Sequence, residues 1–308
     1  MSVPTLIQRL FDTYDGLNPP AAAEAIEQLD QALGPLPDDV LQLYRAFDGS
    51  AEGPRRGDRR LFSRLMPVAE AIEESRKLDE LMGNRSRGGT IAWLWTDDES
   101  NWVGVYTDGP LRGWLVLFDH EEPKNTPAWR GVQSFLVRWL DSAVGSEAAK
   151  EEALDLVMVP AEMPLVDESP EHTAGDAALA REFAELYERE EKKGRRRFWA
   201  RCAMTLTLTS QTASITRFLA DPDMWTPETA AGLMNQRGYE GAVAEFEALV
   251  RGGVPNGAGA AAHCLASFKG AAGREAVDRL ARDPDEKVRK EMERALEHAQ
   301  RLRDNGRS

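Results

Sequence analysis

The chain has 308 residues, of which 42% are hydrophobic and 29% charged, a composition that excludes wholesale disorder and predicts about two globular domains. Residues 1–150 hold 16 basic and 24 acidic side chains and residues 151–308 hold 22 and 28, so both halves are acidic and direct binding to nucleic acid or to an anionic membrane is not expected. Arg9 and Asp12 interrupt the first apolar stretch and no apolar run approaches the ~20 residues that span a bilayer, so the predicted location is the cytoplasm.

Three helices are predicted at the start of the chain. Leu6 and Leu10 recur at helical spacing in the first one. The second is expected to begin after Asn18, which is placed as its N-cap, and to end at Gly34. The third begins near Pro37 and presents an apolar face to the core. A polar loop rich in Gly and Arg follows, at residues 49–60.

The next part of the sequence predicts a small antiparallel sheet. Short runs rich in β-branched and aromatic residues are separated by the turn sequences DDESN and TDGPLR, which is typical of a meander. The predicted elements are a strand at 61–65, a helix after Pro67, strands at 91–95, 102–106 and 113–118, and a closing helix at 132–140 that packs on one sheet face. Because strand residues alternate between faces, Trp93 and Trp95 are expected to share one face.

Beyond residue 145 the pattern becomes acidic and then helical. Residues 146–175 are predicted to be an acidic linker with one apolar anchor at 154–159, and residues 176–308 an all-α domain. FLADPD, ALVRGG and RLARDPD recur there at intervals of 30 and 31 residues, which suits a helix pair, and the closing stretch resembles a HEAT-type repeat. An irregular helical bundle is the alternative. Cys202 and Cys264 fall in predicted helices and are expected to be buried free thiols.

The first domain shares several ordered motifs with a known superfamily. Residues 33–50, LGPLPDDVLQLYRAFDGS, place a Leu-Pro dipeptide before a helix with an aromatic-rich end. The stretch FSRLMPVAEAIEE, an Asp-Asp-x-x-Asn segment, a Gly-Pro-x-x-Gly turn and an Asp-His pair follow in order. Residues 20–140 therefore resemble the SUKH superfamily, which includes Syd-like proteins, fungal regulators of cell-wall assembly and bacterial toxin-immunity proteins. Two departures are Asp48, where the family usually has Asn, and the basic stretch PRRGDRR.

The resemblance implies an α+β fold, with a SUKH-type antiparallel sheet flanked by helices in residues 1–145 and the all-α, HEAT-like repeats after it. It also implies protein binding rather than catalysis, since bacterial members are frequently immunity proteins that block a cognate polymorphic or contact-dependent toxin. The expected partner is a basic toxin domain, because the first half of this chain is acidic. No catalytic residue, cofactor or metal ligand is predicted, and the oligomeric state is left open.

The candidate partner-binding residues lie at turns that border neighbouring predicted strands. They are Trp95, Asp97, Asp98, Glu99, Asn101, Trp102, Asp119, His120, Glu121 and Glu122. The tryptophans are included because Trp is enriched in interface hot spots, although a core position is the alternative for each. A metal-dependent hydrolase that uses the same acidic cluster is a second alternative, although no metal-binding motif with defined spacing is present. A third is a regulatory adaptor or scaffold that binds its partner through the helical repeats.

Overall fold

The computed structural model describes residues 2–56, 59–61, 63–82, 88–98, 100–119, 127–141 and 170–304. The chain divides into two compact units, Met1–Leu165 and Val166–Ser308. Most of the predicted linker 146–175, including its apolar stretch at 154–159, lies outside the described residues, and a helix begins at Pro170 within its last part. None of the helices in the described ranges combines the length and apolar character of a membrane-spanning segment.

The first unit contains five helices and seven short strands within its described residues. They are α1 Val3–Thr13, α2 Ala23–Leu33, α3 Asp38–Ala46, β1 Arg55–Arg56, β2 Arg59–Arg60, β3 Arg64–Leu65, α4 Val68–Met82, β4 Ile91–Thr96, β5 Asn101–Tyr106, β6 Leu115–Asp119, β7 Pro127–Trp129 and α5 Val132–Asp141. Strands β3 to β7 form one antiparallel sheet in sequential order, so the predicted meander and the α+β class are confirmed. The hairpin β1–β2 and the strand β7 were not predicted, since the hairpin strands consist of arginines and β7 is only three residues long and begins with Pro127.

The predicted start of the second helix is wrong. Helix α2 begins at Ala23, with Ala22 as its N-cap. The Asn18 side-chain amide instead donates to the Asp48 carbonyl at 2.8 Å, and its backbone N–H donates to the Gly49 carbonyl at 2.9 Å. The residue therefore joins the segment before α2 to the end of α3 and is not available as a cap.

A β-bulge in β4 places Trp93 and Trp95 on opposite faces of the sheet, so the prediction that they share a face is wrong. Trp93 pairs with Gly104, whereas Trp95 pairs with the adjacent Val103. Neighbouring residues of β5 point to opposite faces, and the extra residue in β4 shifts its alternation by one. The Trp95 ring consequently packs against α5, while the Trp93 ring lies 6.0 Å from the Phe118 ring.

Gly104 leaves the space that the Trp93 ring occupies. A Cβ atom at this position would lie 2.7 Å from the Trp93 ring and 2.4 Å from Ile91 Cγ2. We expect Gly104→Ala to lower the free energy of unfolding by about 1–3 kcal/mol, because the packed core must shift to admit a methyl group. Urea unfolding monitored by circular dichroism measures this. Gly131→Ala, whose Cβ meets only a carbonyl oxygen at 3.9 Å, is the control and should change stability by less than about 0.5 kcal/mol. Equal effects would contradict the packing explanation.

The second unit is helical throughout residues 170–304. Its elements are α6 Pro170–Arg189, α7 Lys193–Leu206, a 3₁₀ helix Thr209–Phe218, α8 Trp225–Gln236, α9 Val243–Gly252, α10 Pro255–Ser267, α11 Ala271–Leu280 and α12 Glu286–Asp304. Helix α10 packs against both α8 and α12, and α9 packs against α10 and α11. Alternate helices are therefore neighbours, as in a stack of helix pairs. Cys202 and Cys264 are buried free thiols, as predicted, and burial raises the pKa of the Cys264 thiol to about 12.

Two Asp-Pro-Asp turns in this unit have the same local structure. The Asp221 carboxylate accepts the Asp223 N–H at 2.7 Å, and the Asp283 carboxylate accepts the Asp285 N–H at 3.1 Å. Each turn also accepts a hydrogen bond from a side chain of an earlier helix. The Tyr187 hydroxyl donates to the Asp221 carboxylate, and the Arg251 guanidinium donates to the Asp283 carboxylate. The recurrence of DPD in the sequence thus corresponds to a recurring turn that ties one helix pair to the preceding one.

Candidate functional site

The structure distributes the predicted partner-binding residues over three environments. Trp95 is fully buried, and Asp97, Asp98, Asn101 and Trp102 lie at or beside the β4–β5 turn. The backbone of Asp119 pairs with that of Asn101 at the end of β6. The side chain of Asp119 and the predicted residues Glu99, His120, Glu121 and Glu122 lie outside the described residues.

Trp95 lies in the core, which contradicts the prediction that its side chain contacts a partner. Its ring lies 4.8 Å from the Phe135 ring and 6.5 Å from the Trp139 ring, both on α5. No part of the side chain is exposed. Trp102 differs, because it is only half-buried, with its ring resting 5.7 Å from that of Phe118. Trp102 is therefore the predicted tryptophan that a partner can reach.

Asp97 and Asn101 close the turn between β4 and β5. The Asp97 carboxylate accepts the Asn101 N–H at 3.0 Å and the Asn101 side-chain amide at 2.7 Å. Within the turn, Asp98 and Ser100 have φ angles of +63° and +80°. Non-glycine residues adopt such conformations only where the surrounding contacts determine them, and Asp tolerates them better than most. The turn is accordingly fixed in one shape by its own polar side chains.

Arg64 holds the turn to the rest of the domain. It lies on β3 with only 7% of its surface exposed. Its guanidinium binds Asp98 Oδ1 at 2.7 Å, Glu70 Oε1 at 2.6 Å and the Ser50 carbonyl at 3.1 Å. Hydrogen bonds that the Arg64 guanidinium donates to Glu70, reinforced by those to Asp98, raise the pKa of Arg64 despite its burial, so the group stays cationic. Sequence reasoning missed Arg64 and Glu70, although a charged residue within the apolar stretch LFSRLMP is a signal of a buried pair.

The two carboxylates bound to Arg64 remain accessible. The Asp98 side chain is 53% exposed and the Glu70 side chain 36% exposed. One guanidinium between two carboxylates leaves a net negative charge at this point. We call the group Glu70, Asp97, Asp98 and Trp102 the hairpin surface. It presents fixed negative charge beside a partly exposed aromatic ring, which is a combination suited to recognising a basic protein surface.

The same geometry gives no support to acid–base or metal chemistry at the turn. Arg64 occupies the position between Asp98 and Glu70 that a cation would take, and the Asp97 oxygens are used in the turn. In the part of the chain that the structure describes, His, Cys, Asp and Glu side chains form no group of three or more that could hold a metal ion.

The second unit contains a separate open cleft between α6, α7 and the 3₁₀ helix. Its volume is about 580 Å³. Ala184, Ala203 and Phe218 contribute apolar surface, and Arg181 and Arg217 are among the polar lining residues. This size falls within the range of small-ligand and peptide sites, and the lining is mixed.

Comparison with models of known protein families gives no match, and comparison with curated proteins gives none either. The hairpin surface and the helical stack are therefore the features from which function is inferred.

Proposed function

We propose that the chain is a non-enzymatic protein-binding protein, with a SUKH-type domain in residues 1–145 and HEAT-like repeats in residues 176–308. Its proposed role is that of a cytoplasmic immunity protein that neutralises a cognate polymorphic or contact-dependent bacterial toxin. The observation that carries the proposal is the hairpin surface, in which buried Arg64 binds two exposed carboxylates, that of Asp98 at a strained turn and that of Glu70 on α4. A rigid charged surface suits recognition because little conformational entropy is lost on binding.

The residues that carry the SUKH resemblance have structural roles that support it. Tyr44, in the aromatic-rich segment, donates its hydroxyl to the Met66 carbonyl at 2.9 Å. Asp48 accepts the Val68 N–H at 2.8 Å and so caps the start of α4. An asparagine can accept the same hydrogen bond through its side-chain oxygen, so the departure from the family pattern at this position preserves the contact. Trp139 on the closing helix donates to the Ser63 carbonyl at 2.8 Å.

Charge supports a basic partner. Residues 1–150 carry 16 basic and 24 acidic side chains, and the hairpin surface adds a local excess of carboxylates. Opposite charges accelerate association mainly at low ionic strength, since the Debye length falls from about 10 Å at 0.1 M salt to about 3 Å at 1 M. Contacts of the Trp102 ring are less sensitive to salt and would govern the lifetime of the complex.

The test is binding to the product of the neighbouring gene, co-expressed and then purified. We expect the double variant Asp98→Asn, Trp102→Ala to bind at least about tenfold more weakly than the wild type, because it loses one charge and one aromatic contact. Stopped-flow measurements should show that the wild-type association rate falls as salt rises, whereas the dissociation rate changes less. The matched control is Trp225→Ala, which removes a tryptophan that is 41% exposed on the helical unit and should leave binding unchanged.

Unchanged affinity in the hairpin double variant, or an association rate that is flat or rises with salt, would remove the hairpin surface from the proposal. Failure to retain either the neighbouring gene product or any lysate protein above background would count against protein binding itself. Near-wild-type circular dichroism of each variant is required, so that loss of binding is not confused with loss of fold.

The second candidate is a regulatory adaptor or scaffold that binds through its helical repeats. It is favoured by the cleft beside α6 and by the exposed ring of Trp225, which lies 5.9 Å from the Arg197 guanidinium. In that case Trp225→Ala weakens binding and the hairpin double variant does not. The metal-dependent hydrolase alternative gains no support from the described carboxylates, because Arg64 and the turn hydrogen bonds already occupy them.

A further inference from the structure

Two of the four histidines in the chain meet on neighbouring helices of the second unit. The rings of His263 on α10 and His298 on α12 have centroids 4.9 Å apart and planes inclined at 75°. Glu291 of α12 lies beside Gly259 of α10, one helical turn before His263. From the Gly259–Glu291 contact to the His263–His298 contact, residue numbers increase on both helices, so the two helices run in the same direction. Helix α10 also packs against α8, α9 and α11, which fixes its position in the stack.

Glu291 is a charged neighbour of His263. Among the described residues, however, neither imidazole takes part in a hydrogen bond or an ion pair, although each neutral ring has one donor and one acceptor nitrogen. His263 is half-buried and His298 is exposed, so solvent and small solutes reach the pair. Other cross-helix polar groups nearby are satisfied, as in the 2.6 Å hydrogen bond from Ser267 to Asn235.

We propose that His263 and His298 together bind a divalent ion of the Ni²⁺, Cu²⁺ and Zn²⁺ group, with water completing the coordination. Imidazole nitrogen suits these metals. Metal–nitrogen bonds are about 2.0–2.1 Å long and the distance from nitrogen to ring centre adds about 1 Å, so two imidazoles on one ion have centres about 5 Å apart. The observed separation of the two ring centres, 4.9 Å, matches that requirement.

Bound metal would join α10 to α12 and so stabilise the C-terminal helices. This site is independent of the hairpin surface and of the proposed immunity role.

The test uses full-length protein, stripped of metal with a chelator and titrated with ZnCl₂ or NiCl₂ at pH 7.5. Calorimetry should detect one site in the wild type, and His298→Ala and His263→Gln should each weaken binding at least tenfold. His298 is exposed, so its replacement is expected to leave the fold intact. At an ion concentration about 100 times Kd, the ratio of folded to unfolded protein should rise about a hundredfold in the wild type, provided that the unfolded chain does not bind the ion.

The matched control replaces the other two histidines, His120→Ala with His172→Ala, and should retain the wild-type affinity. Cu²⁺ electron paramagnetic resonance adds a direct readout, since two coordinated imidazoles give nitrogen couplings that the His298→Ala variant lacks. Equal affinity in the wild type and His298→Ala, loss of binding in the control, or no site in the wild type would each overturn the proposal.

Discussion

Replacing Trp95 with alanine is expected to lower the free energy of unfolding of the first unit by about 3–5 kcal/mol, the cost of removing a large, fully buried aromatic side chain. The ring has no exposed surface and contacts Phe135 and Trp139 of α5, so its loss leaves a cavity between the sheet and that helix. The measurement is urea unfolding by circular dichroism. Hydrogen exchange of peptides from β4 and α5 then assigns the change to this unit.

Two matched variants separate cavity formation from other effects of the substitution. Trp95→Phe keeps much of the ring and removes an indole N–H that is buried without a hydrogen-bond partner, so it should cost much less than Trp95→Ala. Trp102→Ala removes a tryptophan of the same sheet that is only half-buried, and its cost should be about 1 kcal/mol. A Trp95→Ala effect no larger than that of Trp102→Ala would contradict the core position of Trp95.

These tryptophans show what the sequence determines and where it is insufficient. Apolar and β-branched runs between turn sequences were enough to predict β4, β5, β6 and their antiparallel order, because short runs of this kind separated by turns are typical of a meander. The alternation rule then placed Trp93 and Trp95 on one face, and it failed because a single bulge residue shifts every later side chain in the strand. Bulge positions depend on how two strands pair, which a single strand's pattern does not reveal.

The turn residues of the candidate site were predicted from the sequence, but their anchoring by Arg64 was not, because that contact also depends on strand pairing. Asp97, Asp98 and Asn101 were placed correctly at a turn, since such residues favour turns by hydrogen bonding to local backbone. Arg64 is 34 residues from Asp98 in sequence, and its contact depends on β3 pairing with β4. Long-range partners of this kind follow from tertiary structure, so the anchoring of the hairpin surface was not apparent from the turn sequence alone.

In the helical tail, the locally basic run GRRRFWARC, residues 194–202, pairs only in part with the glutamates that precede it. Arg195 does pair with Glu190 at 3.2 Å. Arg196 and Arg197 instead pair with Asp221 and Asp223 of the first Asp-Pro-Asp turn, at 3.1 and 2.7 Å. The pairing therefore connects successive helix pairs and does more than balance charge along one helix surface.

Loss of the Asp223 carboxylate is expected to lower the free energy of unfolding of the second unit by about 2–4 kcal/mol. This cost is somewhat below that of breaking a fully buried ion pair, because Arg197 is partly solvated. Asp223 is only 4% exposed and accepts two hydrogen bonds of 2.7 Å from the Arg197 guanidinium, with Lys193 at 3.3 Å. Asp223→Ala leaves Arg197 without its buried partner. Urea unfolding gives the size of the effect, and hydrogen exchange of peptides from α7 and α8 assigns it to the second unit.

The same ion pairs predict a loss of stability in acid. Burial alone would raise the pKa of Asp223, but the hydrogen bonds and charge of Arg197 outweigh it, so the pKa lies below the ordinary 3.8. Hydrogen bonds from Arg279 and Arg251 likewise lower the pKa values of Glu247 and Asp283. Carboxyl groups with lower pKa values in the folded state contribute their full stability above the unfolded values, near 4, and lose it as pH falls through the folded values.

Near pH 7 the titration of these three groups should not change the free energy of unfolding of the second unit. That free energy should decrease as the pH falls below about 4.5. Asp223→Asn removes one of them, so this variant should be less stable at pH 7 and should lose less stability between pH 4.5 and 2.5 than the wild type. Glu293→Gln, at an exposed position of α12, is the control and should follow the wild-type curve. An Asp223→Asn curve parallel to that of the wild type would show that the Arg197 pair does not contribute to acid unfolding.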